Sequence, residues 1–311
     1  MKKSVFARSF AILLISCIFC SILSGCGSSS KSSSSEPPVY SPLRVLVPEA
    51  PGSDTLGSSP LTLDVSNITQ GYFVAQSDSA DLVTSLQITA PTGVLYSYFI
   101  EPGENAVIPF TEGDGDYTVV GYQQIQGDQY AALYSETLTV ELENEFLPFL
   151  YPNQYVNFSP DSEASKLALS MVSEDTSDID ALKQIYNYVV NNLSYDYDKA
   201  ETVETGYLPD VDETLSTKTG ICFDYAALTT AMLRSCDIPC KLQIGYTGDI
   251  KHAWIDVYIR SKGWVTNAVS FNGDSWSLMD PTFDSSADSD DSEAIQDYIG
   301  NADNYTVQFT R

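Results

Sequence analysis

Gly220-Ile221-Cys222-Phe223-Asp224-Tyr225-Ala226 opens the stretch whose reading decides the fold. Ala226, Ala227, Met232 and Leu233 follow at helical steps, so a helix is expected over about Cys222 to Ser235, with the cysteine in its first turn. That position matters because a thiol attacks as its thiolate, and a helix N-terminus favours the anion. Gly220 leaves the backbone free for a sharp turn into the helix and lets a substrate carbonyl come close. The first-turn amide N–H groups are then available to a developing oxyanion.

Working outward, His252 is the single histidine of the 311-residue chain and stands 30 positions after Cys222. It opens the alternating run His252-Ala253-Trp254-Ile255-Asp256-Val257-Tyr258, which reads as a strand. Another 28 positions on, Asp280 closes a third run, Trp276-Ser277-Leu278-Met279-Asp280, before Pro281. Cys, His and Asp in that order are what a nucleophile, its base and the base's orienting group look like. If the two strands are neighbours, Asp280 can accept from one imidazole nitrogen while the other faces the thiol.

These pieces, with Thr217-Lys218-Thr219 ahead of Gly220 and Pro281-Thr282 behind Asp280, resemble the transglutaminase-like superfamily of papain-like thiol enzymes. The likeness covers roughly Ser159 to Phe283. It implies an α+β core in which the Cys-bearing helix packs on an antiparallel sheet. It also implies Cys222 as nucleophile, His252 as base and Asp280 as orienting residue, acting by acyl transfer through a thioester. Water, an amine or another thiol remain open as acceptors. Asp237 stands where this family commonly has glycine after the Cys helix, which bears on loop geometry. Tyr195 and Tyr197 are read as packing residues rather than oxyanion donors.

Upstream, residues 61 to 142 alternate apolar and polar with breaks at Gly, Pro, Asn and Asp. Examples are Leu61-Thr62-Leu63-Asp64-Val65, Ser85-Leu86-Gln87-Ile88-Thr89, Ala106-Val107-Ile108-Pro109-Phe110, Tyr117 to Tyr122 and Thr137 to Leu142. Short strands at this spacing predict an all-β sandwich of immunoglobulin-like kind ahead of the thiol-enzyme core. After an aromatic connector, Phe146 to Phe158, Ser159-Pro160-Asp161 predicts a helix start. Ser177-Asp178-Ile179-Asp180 predicts another, with Ile179, Leu182, Ile185, Tyr186, Val189, Val190 and Leu193 as one buried stripe. Ser194 to Lys218 reads as a long acidic loop, and Lys241 to Tyr246 as a strand. The expected organisation is therefore a signal peptide over 1–25, a lipidated cysteine and tether over 26–59, the sandwich over 60–145, and the catalytic region with an acidic tail over 146–311.

Lys2, Lys3 and Arg8 precede an apolar stretch, Phe10 to Leu23, that is short for a membrane span. Leu23-Ser24-Gly25-Cys26 resembles the bacterial lipobox, which implies cleavage before Cys26 and lipid on that cysteine. Gly27 to Ser35 then suits a flexible tether. Cleavage would remove three positive charges and take the net charge from −27 to −30. A charge of that sign argues against nucleic acid, and makes the lipid rather than the protein surface the expected membrane contact. The expectation is thus a monomer outside the cytoplasm, anchored to the cell membrane through Cys26. Cys236 and Cys240 are read as two small buried thiols rather than a disulfide across Asp237-Ile238-Pro239.

No cofactor is expected, and no metal, since one histidine and a cysteine pair make a poor ligand set. Asp288, Asp290 and Asp291 lack the glycine and the closing glutamate of a calcium loop and read as solvated surface. Trp254, Trp264 and Trp276 fit either a substrate groove or sheet-face packing. Two functions from different classes follow. One is a surface thiol enzyme cutting or transferring peptide or isopeptide amides, with cell-wall peptide among the candidate substrates and hydrolysis preferred. The other is a binding or assembly lipoprotein with little turnover. A cell-wall cysteine peptidase of different fold fits less well, because many such enzymes orient the base with a second histidine.

Overall fold

The computed structural model describes residues 44–266, two short strands at 269–271 and 276–278, and residues 305–311. The signal segment, the lipobox at Cys26, Asp280 and the acidic residues Asp288, Asp290 and Asp291 lie outside the described residues.

Eight strands come first: β1 (Thr55–Ser58), β2 (Leu61–Asp64), β3 (Tyr72–Ser77), β4 (Thr84–Thr89), β5 (Leu95–Ile100), β6 (Asn105–Pro109), β7 (Gly115–Gln126) and β8 (Gln129–Val140). They form two antiparallel sheets, in orders β1-β2-β3-β6 and β5-β4-β7-β8. One apolar core joins them, with Leu61, Leu63 and Phe73 from the first sheet meeting Leu86, Tyr98 and Val119 from the second. Alternation explains the best-defined strands. In β5, Tyr96, Tyr98 and Ile100 point inward while Leu95, Ser97 and Phe99 face out. By contrast, β3 is buried at nearly every position and carries no such signature, so alternation does not reveal it.

A connector leads to α1 (Glu163–Met171) and α2 (Asp178–Asn192). α1 begins after Ser162, three residues beyond the expected cap. Ser159 instead builds a turn, its N–H donating to Ser162 Oγ at 3.0 Å. α2 begins as expected, with Ser177 Oγ accepting from the Asp180 N–H, and its apolar stripe lies in the second core. The segment read as an acidic loop is instead built from β9 (Ser194–Tyr195), α3 (Tyr197–Thr202), α4 (Val211–Thr217) and β10 (Thr219–Gly220). The misreading has a physical cause: Asp196 and Asp210 are helix caps that accept backbone N–H groups, not solvated loop charges.

α5 (Cys222–Ser235) follows, with the bounds expected, and is buried from Asp224 onward. It packs on β11 (Cys240–Thr247) and β12 (Ile250–Ile259), which pair antiparallel. β13 (Gly263–Val265) extends that sheet, while β14 (Val269–Phe271) and β15 (Trp276–Leu278) pair with each other. β16 (Tyr305–Thr310) adds to β11, giving the order β13-β12-β11-β16. The core is thus α+β, with the Cys-bearing helix on an antiparallel sheet.

Two arginines stitch the layers. Arg234, fully buried on α5, donates to the main-chain oxygens of Cys240, Tyr151 and Arg311 at 2.7–3.0 Å. Burial lowers its guanidinium to about 10. Arg311, after β16, reaches into the first pair of sheets: its guanidinium lies over the rings of Tyr96, Tyr98 and Tyr155 and donates to Tyr98 Oη at 2.8 Å.

Candidate active site

Cys222 is the first residue of α5 and is half-buried, with a free thiol. The helix start differs from those before it. Ser177, Asp196 and Asp210 each accept a first-turn N–H of α2, α3 and α4. α1 lacks such a cap of its own, but the Asp212 carboxylate accepts from its Glu163 and Ala164 N–H groups at 3.1 and 2.9 Å. The α5 cap residue is Ile221, whose side chain has no acceptor atom. Among the described α-helices, the one bearing the thiol is therefore the one whose first N–H groups meet no side-chain acceptor.

What holds this turn is Asp224, fully buried at the third helical position. Its Oδ2 accepts the Ile221 N–H at 2.8 Å and lies 2.9 Å from Lys199 Nζ, while Tyr207 Oη donates to its Oδ1. Gly220 is needed for room rather than backbone freedom. Its φ is not positive, but a Cβ there would sit 2.6 Å from Asp224 Cβ. β10 pairs parallel with β9, Gly220 beside Tyr195, so the approach to Cys222 is tied down on both sides.

His252 lies near the start of β12, opposite Gly245 of β11. From Ser235 back to Cys222 the helix rises about 20 Å. From Cys240 to Gly245 the returning strand advances about 17 Å. The hairpin therefore carries His252 to the end of the layer where Cys222 stands. Along β12, Ala253, Ile255, Val257 and Ile259 join the core shared with α5, whereas His252, Trp254 and Asp256 alternate to the other face. The imidazole is buried there, stacked with Trp254 (centroids 6.2 Å apart, planes at 19°) and 6.4 Å from the ring of Tyr305. Gly245 is obligatory at this point, since a Cβ would lie 1.9 Å from the Thr306 oxygen and 3.0 Å from the Trp254 ring.

Asp280 follows β15 and lies outside the described residues. Asp256, on the His252 face, accepts from Gln243 Nε2 at 2.7 Å. Of the candidate groove residues, Trp254 is buried beneath Tyr305, and Trp264 packs against Phe149 and Tyr258 with Lys241 over its face. Tyr195 packs on Tyr225 and Tyr197, and Tyr197 is largely exposed. Cys236 and Cys240 are both free and buried, and burial pushes each thiol up to about 12. No group of side chains able to hold a metal ion occurs among the described residues.

The Lys199–Asp224–Tyr207 cluster is what sequence reasoning missed. Its one local signal is an acid at the third helical position behind an apolar cap.

Residues 165–281 match the transglutaminase-like superfamily. The UPF0252 protein MJ1282 of Methanocaldococcus jannaschii is 40% identical over 62 residues, 18% of each chain. YebA of Bacillus subtilis, an uncharacterised protein, is 24% identical over 183 residues, 51% of this chain and 25% of its own. The chain thus spans a quarter or less of these curated relatives. A candidate cysteine protease from Cytophaga hutchinsonii, solved at 1.9 Å, aligns at a TM-score of 0.37 and 17% identity, over 78% of this chain and 79% of that one. A candidate protease from Parabacteroides distasonis aligns at a TM-score of 0.29 and 13% identity, over 69% and 62%. The segment carrying Cys222 and His252 lies within the residues that match the transglutaminase-like superfamily.

Proposed function

We propose that this protein is a cysteine-dependent acyl-transfer enzyme that hydrolyses peptide or isopeptide amides, cell-wall peptides included, outside the cytoplasm, tethered by lipid on Cys26. Cys222 is the nucleophile, His252 the base and Asp280 the group that orients it. The immunoglobulin-like reading of the first two sheets fits a spacer between tether and catalytic core. The observation that carries the proposal is the start of α5, whose first-turn N–H groups meet no side-chain acceptor and whose first turn holds the thiol.

The chemistry follows from that start. The Cys222 sulfur, its proton passed to His252, attacks the amide carbonyl carbon. Negative charge grows on the carbonyl oxygen, where the first-turn N–H groups of α5 receive it. His252 returns the proton to the leaving amine as the C–N bond breaks, leaving a thioester on Cys222. A water, deprotonated by the same imidazole, then releases the acid and restores the thiol. The buried imidazole must meet the sulfur around the first residues of β12, since its own face of the strand is turned from α5.

That contact is testable through the pH dependence of iodoacetamide alkylation at Cys222, in wild type and His252→Ala. An ordinary thiol with a pKa near 8.5 is only about 0.3% ionised at pH 6. Alkylation that persists at pH 6 and collapses in the variant is expected. Equal rates that follow an ordinary thiol would sink the proposal and favour a binding lipoprotein.

A further inference from the structure

Asp224 poses an electrostatic difficulty for any reading in which Cys222 reacts as an anion, and this inference rests on that reading. A carboxylate fixed in the first turn, two residues from the sulfur, opposes a thiolate there. Asp224 is fully buried, so water does not screen it. Yet its oxygen is what fastens the Ile221 N–H, and no other side chain caps this helix.

Lys199 meets the difficulty. Its ammonium donates to Asp224 Oδ2 at 2.9 Å and to Tyr207 Oη at 2.7 Å, and lies 4.4 Å from the centre of the Tyr207 ring. Burial alone would lower the Lys199 ammonium, but the bonds to Tyr207 and Asp224 raise it, so it stays charged. Burial and the Asp224 bond push the Tyr207 hydroxyl up to about 12, so it stays a donor. Both partners come from the segment between α2 and α5, and α3 supplies the lysine.

We propose that Lys199, Asp224 and Tyr207 form a positioning unit for Cys222, in which Asp224 fixes the helix start and Lys199 cancels its charge so that the cap does not oppose the thiolate. Other ionisable groups near this end are otherwise engaged. Asp196 caps α3 and Asp212 caps α1. Tyr195 packs on Tyr197 and on Tyr225, Tyr155 packs on Phe223, and His252 comes from β12.

The test reads iodoacetamide alkylation of Cys222 by mass spectrometry at pH 6.5, in the full chain, with circular dichroism to confirm folding. The reagent is neutral, so surface charge does not steer it. Lys199→Met leaves the carboxylate uncompensated and is expected to slow alkylation about three- to tenfold. Asp224→Asn keeps an acceptor for Ile221, leaves the ammonium unopposed and is expected to speed alkylation by a similar factor. The double variant is expected within about twofold of wild type. If the cluster only packs, both single variants slow and the double is slowest, which overturns the proposal. Where Lys199→Met does not fold, the sign for Asp224→Asn decides alone, and a slower rate rejects the idea. Failure of the Proposed function shows separately, as a wild-type rate unaffected by His252→Ala.

Discussion

Asp237 offers a prediction whose size follows from its surroundings. It occupies the turn between α5 and β11 with φ 58°, in the left-handed region that favours glycine. Its carboxylate is mostly buried, 3.5 Å from Arg260 Nη2. Burial raises it to about 6, with Arg260 lowering it and Asp178 raising it further. An acid whose folded value exceeds its unfolded value, near 3.9, binds its proton more tightly in the native state. The stability it contributes is present below about pH 4 and lost as the pH rises through about 6. At about 1.4 kcal/mol per tenfold change, the loss at pH 7 is about 2–3 kcal/mol. Asn tolerates the same backbone and carries no charge, so Asp237→Asn is expected to be more stable than wild type by about that amount at pH 7. The two proteins should converge near pH 4. Arg260 keeps Asp178 at 3.4 Å and the Asp237 carbonyl at 3.3 Å, so its other contacts survive. Urea unfolding at pH 4, 5, 6, 7 and 8 reads the difference directly. Equal stability at pH 7, or a gain that does not shrink toward pH 4, would refute the reasoning.

Three other substitutions probe the site and its supports. Ile221→Thr supplies an acceptor for the first-turn N–H groups of α5. Stability should change by no more than about 1 kcal/mol, while turnover of a peptide amide falls, measured as kcat at unchanged fold. Gly245→Ala forces a Cβ against the Thr306 oxygen. It should cost about 1–3 kcal/mol by urea unfolding and slow alkylation of Cys222, because Trp254 and His252 must shift. Arg234→Met removes a buried cation together with its bonds to three carbonyls. A loss of about 3–5 kcal/mol is expected, and a thermal midpoint unchanged from wild type would contradict it.

Much of the layer that holds the candidate site was legible because its signals are local. The apolar steps after Cys222 defined α5, and alternation after His252 defined β12. The Ser177 cap and the stripe from Ile179 to Leu193 defined α2. The remainder was hidden for identifiable reasons. β3 is buried on both faces and shows no alternation, and β16 carries mixed polar residues whose pairing to β11 depends on a partner some 60 residues away. Asp196 and Asp210 looked like solvent-facing charge because a cap is recognised only once its helix is. Asp224 was the deepest omission: Lys199 and Tyr207 lie 25 and 17 residues ahead of it, and no spacing rule links them.

β16 belongs to two bodies at once. Its backbone completes the sheet that carries His252, while Thr310 O accepts from Thr111 Oγ1 at 3.0 Å and Phe309 packs on Tyr96 of the first pair of sheets. Dissecting this protein into separately expressed halves is therefore a poor experiment. A fragment beginning after β8 would leave the Arg311 guanidinium without the faces of Tyr96 and Tyr98, and would bare Phe309 on an outer strand. The other half would open the slot those side chains fill. Loss of activity in such a fragment would report a torn seam, and would say nothing about whether the first sheets handle substrate.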